Sequence, residues 1–169
     1  MRWFLLCIAL VLAPVAFAVA GCGGSDDGDA PTRAQFIAQT DELCTTSNRR
    51  TRTLNLKVRQ AAAAARDDRD FMRRLAPILE RGYDQVRANA AAFRAVESPV
   101  DDATEIARLR RLYDQQAQFV RRLAAAARRG DVRGFKSLTA EQQAVVMRAR
   151  RLSRAYGFKQ CGSTRSDPA

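Results

Sequence analysis

From Pro31 to Gly157 the apolar side chains recur every third or fourth residue, in four runs separated by turn and cap residues. That spacing aligns one face of an α-helix, and no stretch alternates apolar and polar residues over a strand's length. The first run is Phe36, Thr40, Leu43, Ser47, Thr51, Leu54, Val58, Ala61 and Ala65, preceded by Pro31 and by Thr32 as N-cap. Asp67-Asp68-Arg69-Asp70 interrupts it, and the second run is Phe71, Leu75, Ile78, Gly82, Val86, Ala90 and Phe93. Pro77 falls early in that run, so either the helix proper begins near it or the helix kinks there. After Ser98-Pro99, with Asp101 or Asp102 as cap, the third run is Ile106, Leu109, Leu112, Gln116, Phe119, Leu123 and Ala126, closed by Gly130-Asp131. The fourth, Val132, Phe135, Leu138, Gln142, Val145, Ala149, Leu152 and Tyr156, stops at Gly157.

Four helices of about 25 residues on short connections favour antiparallel neighbours. The expected fold is therefore all-α, an antiparallel up-down-up-down four-helix bundle. Its core is expected to be thin, because the stripes contain many Ala and several Gln, Ser and Thr.

Residues before the bundle have a different character. Met1-Arg2 carry positive charge, Trp3 to Val19 carry none, and Val19-Ala20-Gly21-Cys22 ends the segment on small residues followed by a thiol. This resembles the lipobox of bacterial lipoproteins, which implies that the Cys22 thiol is diacylated and that the signal peptide is removed just before it. Three regions follow: 1–21 a lipoprotein signal peptide, 22–30 the lipidated Cys and a flexible tether, 31–169 the helical domain. An uncleaved anchor is the competing reading, since seventeen apolar residues stand at the lower edge of what spans roughly 30 Å of hydrocarbon. Pro14 and the alanines weaken it. Both readings put the body of the chain outside, with Arg2 within and Asp26, Asp27 and Asp29 beyond the segment. The expected location is the cell membrane, lipid-anchored on its extracytoplasmic face. Gly23 to Ala30 is composed of Gly, Ser, Asp and Ala, a coil reaching roughly 15 Å, so the bundle sits near the bilayer.

Of four cysteines, Cys7 leaves with the signal and Cys22 takes the lipid. Cys44 and Cys161 remain in a setting that permits disulfides. Free buried Cys or a redox thiol are the alternatives, although C-x-x-C spacing is missing. In an up-down-up-down bundle the end of the fourth helix lies beside the start of the first, which brings Cys161 to the level of Cys44. On that count residues 32–40 overhang the bundle toward the tether.

The chain contains no histidine. That removes His-based metal sites, Ser-His-Asp and Cys-His nucleophiles and the Glu-x-x-His ligands of di-iron bundles. Met72 and Met147 are expected to be core filler rather than haem ligands. The carboxylates at Asp67, Asp68 and Asp70, at Glu80 with Asp84, and at Asp101, Asp102 and Glu105 sit at helix N-termini or among arginines, where negative charge is favoured without a metal. No phosphate loop or nucleophile elbow occurs. No enzyme activity, cofactor or metal is expected.

Removing residues 1–21 costs one positive charge, leaving 28 basic against 18 acidic side chains. A basic surface outside the cytoplasm meets anionic lipid or envelope polymers rather than nucleic acid. Arg148, Arg150, Arg151, Arg154 and Lys159 lie in an acid-free stretch that descends to the tether end, and form the candidate membrane-facing patch. Their alternative role is to complement a helix C-terminus.

The lipobox, the tether, Asp41-Glu42-Leu43-Cys44, the Ser98-Pro99 break, Arg129-Gly130-Asp131 and the closing Tyr156-Gly157-Phe158-Lys159-Gln160-Cys161-Gly162 together resemble small helical lipoproteins of actinobacteria. The resemblance implies a cell-surface location and no particular reaction. The expected function is a non-enzymatic binding or structural module at the envelope, held to the membrane by its lipid and meeting an unknown protein partner. The alternative is a small-molecule-binding or sensory bundle, with a pocket among Phe71, Phe93, Phe119 and Phe135.

Overall fold

The computed structural model describes residues 30–161, which form four α-helices: α1 (Arg33–Ala63), α2 (Asp68–Ala95), α3 (Ala103–Arg129) and α4 (Val132–Tyr156). The expected signal peptide, Cys22 and residues 23–29 of the expected tether lie outside the described residues. Local chemistry accounts for the helix ends. Thr32 and Gln35 form a reciprocal capping box at the start of α1, satisfying N–H groups that have no partner within the helix. Asp67 caps α2 by accepting from the Asp70 N–H at 2.7 Å, and Asp131 caps α4 by accepting from the Gly134 N–H at 2.8 Å. Asp102 occupies the N-cap position of α3 but makes no side-chain cap bond there. Gly130 and Gly157 close α3 and α4 in the left-handed region, at φ 66° and 110°, a conformation Gly adopts without a Cβ clash.

Pro77 neither starts nor ends α2. The helix begins nine residues earlier, where Asp67 caps it, and runs through the proline. The ring costs one backbone hydrogen bond, and Pro77 takes up an exposed position.

Two hydrophobic clusters form the core. One gathers Phe36 from α1, Phe93 from α2, Ile106 and Leu109 from α3, and Tyr156 and Phe158 from the end of α4 and the loop after it. The other gathers Met72, Leu75 and Ala76 from the start of α2 with Ala127 from the end of α3, and Val58, Val132 and Phe135 pack against it. The start of each helix thus meets the end of the next, as an up-down-up-down course requires. Phe36 is the hub of the first cluster, with ring centroids 5.9 to 6.1 Å from Phe93, Tyr156 and Phe158.

That cluster corrects the expected overhang. Phe36 and Thr40 are buried, and Phe158 covers them from beyond the end of α4. Matching the level of Cys161 to that of Cys44 took no account of a chain that folds back after Gly157.

Helices α2, α3 and α4 pack in succession and α1 packs on α2, while among the described residues α1 and α4 make no close helix-to-helix approach. The middle of α1 consequently faces outward: Leu43 is 37% and Leu56 52% exposed, although Leu43 belongs to the apolar stripe. No described helix is long and apolar enough to cross a membrane.

Candidate functional site

The separation between α1 and α4 is bridged at one end by a latch. Cys44 of α1 and Cys161 are joined in a disulfide, with Cα atoms 5.1 Å apart. One turn earlier, Asp41 accepts hydrogen bonds from three successive backbone N–H groups, Lys159 at 2.9 Å, Gln160 at 2.8 Å and Cys161 at 3.2 Å. One turn later, Asn48 donates to the Gln160 carbonyl at 3.1 Å. Three positions on successive turns of α1 therefore hold the loop that follows α4. Behind it, the Tyr156 hydroxyl donates to Asp102 at 2.7 Å, and Arg33 stacks on the Tyr156 ring while donating to the Tyr156 carbonyl. Burial, followed by that bond to Asp102, holds the Tyr156 phenol above its ordinary pKa.

Above the latch the gap opens into a cavity of about 260 Å³. Leu43, Val86, Phe93, Tyr113, Val146 and Ala149 supply its apolar wall. Its polar wall comes from Thr40, Ser47, Asn48, Thr51, Asn89 and Gln116, and the disulfide closes it below. Part of the polar wall is internally bonded: Asn89 donates to the Ser47 hydroxyl at 2.6 Å, and Gln85 donates to the Thr51 hydroxyl at 3.1 Å and to the Ser47 carbonyl at 3.3 Å. The Thr40 hydroxyl, on a residue only 2% exposed, has no hydrogen-bond partner among the described residues. Burial raises the Tyr113 phenol above its ordinary pKa, so it remains neutral at physiological pH. Arg150 is the only charged residue that lines the cavity among the described residues.

The chain matches no protein-family model, no curated protein and no solved structure. The reading of its function accordingly rests on the sequence and on this geometry.

The basic stretch divides in two. Arg148, Arg151 and Arg154 are exposed and three residues apart, hence on one face of α4, and Lys159 is exposed on the loop beyond. Arg150 is half-buried and shares the cavity face with Val146, one turn before it. None of these five side chains makes an ion pair among the described residues. The end of the bundle at which α1 begins is mixed in charge: Ala30 and Pro31 lie beside Asp101 and Asp102, at the same end as Tyr156.

The four phenylalanines do not line one pocket. Phe93 borders the cavity, Phe71 and Phe135 pack at the opposite end of the bundle, and Phe119 lies under Arg122. Each belongs to a different stripe position, and the gap between α1 and α4 reaches only one of them.

Several carboxylates serve structure. Asp70 is buried and accepts from the Arg66 N–H, from Arg74 and from Arg73. The backbone N–H, then Arg74, hold its carboxyl far below the usual carboxylate range. Glu80 pairs with Arg128, and Asp114 with Arg94. No group of three potential metal ligands occurs among the described residues.

Proposed function

We infer that this chain is a lipid-anchored, extracytoplasmic lipoprotein whose helical bundle is a non-enzymatic binding or interaction module at the cell envelope. The observation that carries the reading is the Cys44–Cys161 disulfide, set in a loop that Asp41 holds through three N–H groups. Disulfides persist in oxidising compartments, and Val19-Ala20-Gly21-Cys22 is the sequence that accounts for export and for acylation at Cys22. The partners on this reading are the membrane, through the lipid; anionic lipid or envelope polymers, through Arg148, Arg151, Arg154 and Lys159; and a protein of the envelope. Labelling cells with a radioactive fatty acid tests it. The protein takes up label and fractionates with the membrane, and Cys22→Ser abolishes both; label retained by Cys22→Ser, or a cytosolic wild type, removes the reading.

A second reading, a small-molecule-binding or sensory bundle on the same anchor, is favoured by the cavity between α1 and α4. Its volume of about 260 Å³ stands just below the roughly 300 to 1,000 Å³ of typical ligand pockets. An apolar wall with a few convergent polar groups is the composition such pockets have.

A further inference from the structure

We propose that the cavity between α1 and α4 binds a small organic monoanion, a carboxylate carrying a short apolar body, with Arg150 as its counter-ion. The inference rests on the small-molecule reading and names the ligand class. Three observations carry it. Among the described residues Arg150 brings the only charge to the cavity lining, and no acid lines it. Its guanidinium has no hydrogen-bond or ion-pair partner among the described residues, as is true of most arginines in this basic chain, but it alone among the described arginines lines this cavity. Asp41, one turn from the cavity floor, has both oxygens engaged by loop N–H groups and is not a competing partner.

The remaining groups suit the rest of such a ligand. A guanidinium presents paired N–H donors that match a carboxylate. Leu43, Val86, Phe93 and Val146 offer apolar surface to the body of the molecule. The size excludes bulky anions: about 260 Å³ holds a short chain or a single ring.

The test is an NMR titration of residues 22–169 carrying Cys22→Ser, a chain that retains all four helices and both disulfide cysteines. Octanoate and its neutral counterpart 1-octanol are the probes. Octanoate is expected to shift the methyl signals of Leu43, Val86 and Val146 saturably and to bind about tenfold more tightly than octanol, the scale of one charge-assisted hydrogen bond. Arg150→Gln removes that preference, Arg150→Lys keeps most of it, and Arg148→Gln, on the other face of α4, leaves it unchanged. Unaltered melting of each variant shows that the fold is intact. If octanol binds as tightly as octanoate and Arg150→Gln has no effect, the anionic ligand class is overturned while the small-molecule reading stands. A preference that follows Arg148 instead of Arg150 overturns the site. If neither probe moves the cavity signals at saturating concentration, the small-molecule reading falls and the proposal with it.

Discussion

Single side chains differ sharply in how much they hold. Phe36 is completely buried and touches three other rings drawn from α2, the end of α4 and the loop beyond it. Phe36→Ala is expected to cost about 3 to 5 kcal/mol of unfolding free energy. Leu56→Ala, at a site 52% exposed, should change it by no more than about 0.5 kcal/mol. Urea titrations of the two variants check the contrast. Asp70 yields a pH prediction. Its folded pKa is depressed by the Arg66 N–H and by Arg74, so it stabilises the fold above the unfolded-state value of about 3.9 and loses that contribution as pH falls toward the folded value. Asp70→Asn is therefore expected to melt lower than wild type at pH 7, with the gap narrowing progressively below about pH 4. Calorimetry across that range measures it, and a gap independent of pH would contradict the assignment. None of this was legible at Asp41: nothing in the local sequence separates a carboxylate that captures three loop N–H groups from one that faces solvent.

At the scale of elements, local signals placed the helices well and their relations less well. Thr32, Gly130 and Gly157 mark helix ends that were readable because capping and left-handed geometry depend on immediate neighbours. At Pro77 the cap at Asp67 removes the reading in which the helix begins at the proline, because a capped N-terminus outweighs one lost hydrogen bond. Gly157→Ala is expected to cost about 1 to 2 kcal/mol for the left-handed conformation, since φ is 110° and the added Cβ would meet the Ile37 Cδ1 at 3.2 Å. Thr32→Ala, which removes the cap of α1, should cost about 1 kcal/mol. Thermal melts monitored by circular dichroism give both values. The cavity lay beyond periodicity: Leu43, Ser47 and Thr51 are stripe positions, and only the distance between α1 and α4 turns them from core into lining.

For the molecule as a whole, one covalent link ties α1 to the loop after α4, and the backbones of these two helices make no close approach among the described residues. The disulfide closes a loop of 117 residues, and the chain-entropy account credits closure of that length with roughly 4 to 5 kcal/mol, less any strain. A Cys44→Ala, Cys161→Ala double variant is expected to lose stability on that scale, and reduction of the wild type should reproduce its melting curve. The bundle and the pairing were readable together because topology brings residue 161 to the level of residue 44; the fold-back of Phe158 over Phe36 was not, since it depends on tertiary burial past the last helix. The central claim is that an exported, acylated chain is closed by this disulfide. Non-reducing peptide mass mapping of the protein taken from the membranes of its own cells tests it most directly. The account predicts an N-terminal peptide beginning at a lipid-modified Cys22, together with a disulfide-linked pair of peptides containing Cys44 and Cys161. An unmodified peptide beginning at Met1, with Cys44 and Cys161 both recovered as free thiols, would contradict it.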